Sequence, residues 1–94
     1  MAISYQTPVP GPHDYSEGIK IIVLTHLTRS QTLESLTHNI NLGGYVHFSE
    51  GFTHNILRWL DKDFLVTVRR KNNEDRWYIT KQGVNWLKEQ GMIR

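Results

Sequence analysis

Cysteine is absent from these 94 residues. That removes a disulfide framework and a thiolate metal site, and makes a reducing, cytoplasmic setting the simplest expectation. Long hydrophobic runs are missing as well. The longest, Ile21 to Leu24, falls far short of the roughly 20 apolar residues that span a bilayer, so no membrane partner is expected. Proline occurs only at Pro8, Pro10 and Pro12, and ahead of them stands neither the basic region nor the apolar stretch of a secretory signal. A strong excess of one charge is also lacking. Eleven Lys and Arg against nine Asp and Glu leave a net charge of +2, too small to argue for nucleic acid by itself. Any such argument must rest on where the cations stand.

What is present fits one domain, since a chain this short has room for one hydrophobic core. Residues 1–15 hold all the prolines and read as an extended arm, leaving 16–94 as the folded unit. Ser16 is placed to cap a first helix from about Glu17 to Thr28, on which Ile19, Ile22, Val23 and Leu27 form a stripe that Ile21 and Leu24 widen on both sides. So apolar a helix is either central or shared with a second chain. Ser30 is placed to cap a second helix with Leu33, Leu36 and Ile40 inward, and Asn39, Asn41, Gly43 and Gly44 stop it. Tyr45 to Phe48 reads as a short strand or extended link. Ser49 then caps a third helix reaching about Lys62, with Phe52, Ile56, Trp59 and Leu60 inward and Glu50, His54, Asn55, Arg58 and Lys62 outward.

From Phe64 onward the periodicity changes to two. Leu65 to Lys71 and Arg76 to Thr80 are the strands of a hairpin, and Asn72, Asn73, Glu74 and Asp75 are its turn. Thr80 caps a last helix from Lys81 to Gln90, with Val84 and Leu87 inward, and Gly91 ends it. Arg58, Lys62, Arg69, Arg70, Lys71 and Arg76 are six of the eleven cations, gathered on the third helix and the hairpin. Alternation puts Arg69 and Lys71 on one face and Arg70 on the other.

Three helices, a basic hairpin and a further helix form an α+β order that resembles a winged helix-turn-helix. The stretch ILRWLDKDFLVTVRRKNNEDRWYITKQGVNWL is similar to the recognition helix, wing and following segment of the PadR-like and MarR-like winged-helix transcription regulators. The resemblance rests on Leu57 and Leu60, on Leu65 and Val66, and on Tyr78, Ile79, Thr80, Gly83 and Leu87, and covers roughly residues 49–87. Two features depart from that pattern. Asp63 stands where the family has glycine and must take up the bend into the wing, and the link from Ile40 to Ser49 exceeds the usual turn of a minimal helix-turn-helix.

The resemblance implies a homodimeric regulator that binds double-stranded DNA without catalysis or cofactor. A helix fits the major groove, where Arg58 can address guanine with two hydrogen bonds, Asn55 can do the same with adenine, and His54 can take either role. The candidate contacts are Ser49, Thr53, His54, Asn55, Arg58 and Lys62 on the helix, with Arg69, Arg70, Lys71 and Arg76 of the wing on phosphates or in the minor groove. The rival is a winged-helix module that binds another protein and no DNA, since one scaffold serves both uses.

Other constellations point to structure. His13, His26, His38, His47 and His54 have no paired metal-ligand spacing such as H-x-x-x-H. Trp59 and Trp77 fall on core positions, and Trp86 flanks the inward face of the last helix. No nucleophile elbow, phosphate loop or carboxylate pair is present, so no enzyme is expected.

Overall fold

A computed structural model describes residues 17–44 and 46–92, in the order α1 (Glu17–His26), α2 (Leu33–Leu42), α3 (Glu50–Lys62), β1 (Val66–Lys71), β2 (Glu74–Ile79) and α4 (Lys81–Glu89). The arm of residues 1–15 and the Ser16 cap lie outside the described residues. Three helix starts have side-chain caps: the hydroxyls of Thr32, Ser49 and Thr80 accept from the N–H groups of Ser35, Phe52 and Gly83. Each satisfies one of the donors that a helix start leaves without a partner.

The second cap is Thr32 and not Ser30, for a reason outside the helix. Gln31 is extended and exchanges both backbone hydrogen bonds with Trp77, at 2.7 and 3.1 Å. It is thus a one-residue third strand on the hairpin edge, and α2 can begin only beyond it. The same demand shortens α1, which ends at His26 instead of Thr28. Residues 46–48 form an extended link without strand pairing. The Asn41 amide clasps that link: Nδ2 donates to the Phe48 carbonyl at 2.9 Å and Oδ1 accepts from the Phe48 N–H at 2.8 Å. Phe48, now fixed just before the Ser49 cap, packs edge-on against Phe52 with ring centroids 4.8 Å apart, which sets the entry into α3.

The core is drawn from every element. Val23, Leu24 and Leu27 of the first helix and its end, Leu36 and Ile40 of α2, Ile56, Leu57 and Leu60 of α3, Val66, Trp77 and Leu87 are buried together. Leu24 belongs to this core, while Ile21 is half-buried against it. The widened stripe of α1 is therefore used largely inside the domain. On α3 the inward stripe is turned from the expected one: Thr53, Ile56, Leu57 and Leu60 are fully buried, whereas Phe52 and Trp59 are half-buried at its margins. Lys20 of α1 lies over the Trp59 ring, 4.1 Å from its centroid, an arrangement that favours the cation electrostatically.

The exit from α3 differs from the expectation at Asp63. Asp63 keeps φ −90° and ψ 7°, and Phe64 takes the left-handed bend, φ 63°. The Phe64 N–H bonds to the Asp61 carbonyl and the Leu65 N–H to the Leu60 carbonyl, the two bonds of a Schellman ending. Leu65 and Leu60 are the buried apolar pair that closes that motif, and burying both forces the left-handed residue to be the one before Leu65. The hairpin turn is also tighter than expected. Asn72 and Asn73 alone form it, at φ 54° and 62°, the two left-handed residues of a type I′ turn. Glu74 and Asp75 are therefore paired in β2, opposite Lys71 and Arg70.

Candidate nucleic-acid interface

With its buried stripe turned inward, α3 leaves Gly51, His54, Asn55, Arg58, Asp61 and Lys62 exposed. These positions recur at helical spacing and so line one outward face. His54, Asn55, Arg58 and Lys62 are thus brought together as expected. Ser49 is exposed at the helix start, where its oxygen accepts from Phe52 and its hydroxyl proton has no acceptor among the described residues. Thr53 requires correction. Its side chain is fully buried, and its hydroxyl donates to the Ser49 carbonyl at 3.0 Å, so it supports the first turn of α3 from inside and has no surface to offer.

Residues of the hairpin divide by register. Val66 with Ile79, Val68 with Trp77 and Arg70 with Asp75 lie on one face; Thr67 with Tyr78, Arg69 with Arg76 and Lys71 with Glu74 lie on the other. The first face runs outward from the core and meets α3. There the His54 ring stands edge-on to Trp77, with centroids 6.1 Å apart, joining the outward face of α3 to the hairpin base.

The four hairpin cations have different surroundings. Arg70 is paired with Asp75 at 3.0 Å, with both side chains more than half exposed, so the pair contributes at most about 1 kcal/mol. Arg69 lies over the Tyr78 ring, 5.8 Å from its centroid, and Lys71 is exposed at the strand end. Arg76 is half-buried: Nη2 donates to the Ser30 carbonyl at 2.9 Å, Nε to the Ser30 hydroxyl at 3.4 Å, and Nη1 to Glu74 at 3.3 Å. It fastens the hairpin to the α1–α2 connection.

Arg76 also brings in a cation that sequence reasoning did not single out. Arg29 lies in the α1–α2 connection and lines one groove with Arg76. Residues so far apart in the chain carry no local periodicity that could have paired them. Among the described residues no cluster of three or more His, Cys, Asp or Glu side chains could hold a metal ion, and no helix is long and apolar enough to cross a membrane.

This architecture is the winged helix: three helices, a two-stranded antiparallel wing and a C-terminal helix. Solved structures share it. F93 from STIV, described as a winged-helix DNA-binding protein, superposes with a TM-score of 0.73 at 16% identity, over 82% of this chain and 87% of that one. A transcriptional regulator from Clostridium thermocellum gives 0.70 at 14% identity, over 78% of each chain. Bacillus subtilis PadR, solved in complex with operator DNA, gives 0.72 at 15% identity, over 83% of this chain and 49% of that one. No protein-family model matches the sequence, and no curated protein is similar to it at a significant level.

Proposed function

We propose that this chain is a sequence-specific double-stranded DNA-binding transcriptional regulator, acting without catalysis. The carrying observation is the outward face of α3. His54, Asn55, Arg58 and Lys62 are exposed on the side opposite the buried Ile56, Leu57 and Leu60, and His54 joins that face to the basic hairpin. Such a helix can enter the major groove with Arg58 and Asn55 toward base edges, while Ser49 and Lys62 meet phosphates at its two ends. Arg69 and Lys71 of the wing supply backbone or minor-groove charge. The architecture shared with F93 from STIV and with operator-bound PadR supports this use of the fold.

The regulator acts as a homodimer in this reading, since two copies read two half-sites in register. The exposed Leu42, Phe64 and Met92 are apolar surface for that contact. The deciding experiment is a mobility-shift titration of the full chain on random-sequence duplex pools at two salt concentrations, followed by selection of the tightest-bound sequences. A retarded complex that weakens with salt, and a selected pool that converges on one sequence, is the expected result. Absence of a complex at low salt overturns the proposal and leaves a protein-binding module.

A further inference from the structure

The groove that Arg29 and Arg76 share has a volume of about 540 Å³ and lies between the α1–α2 connection and β2. Thr25, His26, Thr28, Ser30, Gln31 and Asn39 complete its lining. Two arginines stand in it, and no carboxylate and no large apolar side chain.

Its floor is already held in place. The Gln31 amide donates to the His26 carbonyl and accepts from Asn39 and Ser35, at 2.6 and 3.1 Å. Arg76 is oriented by Ser30 from two sides. A guanidinium has five N–H donors, and the three hydrogen bonds of Arg76 leave two unused. Arg29 has no hydrogen-bond or ion-pair partner among the described residues, and the Thr28 hydroxyl likewise has none there. A guanidinium held by Ser30 and a second one beside it, in a concave site whose one neighbouring acid is Glu74 at Arg76 Nη1, suit an anion with several oxygens, because guanidinium N–H groups match such oxygens in pairs.

We infer that this groove is a phosphate-group site, with Arg29 and Arg76 as its cationic ligands and Thr28 as a neutral donor. A bound phosphate takes the two N–H groups that Arg76 leaves unused, one on Nη1 beside Glu74 and one on Nη2. The site stands on its own geometry and not on the proposed function. The phosphate can belong to a nucleic-acid backbone or to a free phosphorylated small molecule, and the two are separable.

The test is a titration of the full chain with inorganic phosphate at constant ionic strength, following backbone amides and arginine Nε–H signals by heteronuclear NMR, with chloride as control. Saturable shifts at Thr28, Arg29 and Arg76, at least fivefold weaker in Arg29→Ala and unchanged in Lys88→Ala, are expected. Shifts that never saturate, that chloride reproduces, or that Arg29→Ala leaves unaltered overturn the inference. Arg29 is exposed in a connection and loses no hydrogen bond or ion pair to any described residue on truncation, so the variant is expected to fold; its unchanged spectrum elsewhere verifies this. A second arm adds a duplex oligonucleotide. If phosphate and duplex compete for the same three residues, the ligand is a backbone phosphate; if phosphate binds while duplex leaves them unshifted, it is a free one. The phosphate arm reads the groove even where the chain binds no DNA at all, so failure here and failure of the DNA-binding reading are distinguishable.

Discussion

The hydroxyl of Thr80 donates to the carbonyl of Phe64 while its oxygen accepts from the N–H of Gly83. One side chain thereby caps α4 and holds the residue that ends α3. The Thr80 N–H adds a bond to the Leu65 carbonyl at 3.0 Å, and Gly83 packs so closely on that same carbonyl that a Cβ there would collide with it. Thr80→Val is expected to destabilise the fold by about 1–2 kcal/mol through loss of a helix cap and a second hydrogen bond. Gly83→Ala should cost more, because backbone rather than a mobile side chain stands in the way. Urea unfolding of both variants checks the order, and a Gly83→Ala protein as stable as the parent would refute the packing.

Phe64 is a large side chain in the left-handed region, with 67% of its surface exposed. A non-glycine residue there carries a cost of about 1–2 kcal/mol, and little burial is at stake. Phe64→Gly is therefore expected to raise stability by up to about 1 kcal/mol, after the extra freedom of glycine in the unfolded chain is discounted. Thermal unfolding at fixed protein concentration measures it. A marked fall in stability would show that the ring is packed against something, and sedimentation of the same variant tells whether that is a second copy.

The turned stripe of α3 predicts an order among its core positions. Leu57 is fully buried, so Leu57→Ala should cost about 2–5 kcal/mol, which is a large share of the stability of so small a domain. Trp59, half-buried at the margin under Lys20, should cost less when truncated to Ala. Chemical denaturation of the two variants side by side gives the comparison, and a larger loss for Trp59 would return that residue to the centre of the inward stripe.

The cations separate into three phenotypes. Arg58→Ala should lose about 1–3 kcal/mol on a selected site and much less on unrelated duplex, because a base contact counts only where the right base is present. Arg69→Ala and Lys71→Ala should weaken binding to all sequences alike and lower the salt slope by about 0.9 for each phosphate contact removed. Arg76→Ala should reduce thermal stability whatever it does to binding, since its guanidinium is committed to Ser30 and Glu74. Titrations on specific and scrambled duplexes across a salt series, with melting curves, read all three. An unchanged melting temperature for Arg76→Ala would show that its internal hydrogen bonds contribute nothing to the fold.

Much of this molecule was legible in its residues. Ser49 and Thr80 cap the helices they were expected to cap, because a cap depends on backbone donors only two or three residues away. The strands and their alternation were equally local, and the outward face of α3 follows from helical spacing. Tertiary structure decided what depends on a partner distant in the chain. Gln31 pairs with Trp77 and so moves the α2 cap from Ser30 to Thr32; Leu65 and Leu60 close together and so transfer the bend from Asp63 to Phe64. Thr53 carries a polar label that suits a surface, yet packing rotates it into the core and its hydroxyl finds the Ser49 carbonyl. Arg76 looks like any wing cation until Ser30, forty-six positions away, takes its guanidinium. Composition and periodicity encode which backbone each segment prefers, whereas the neighbour a side chain meets is set by how the segments pack.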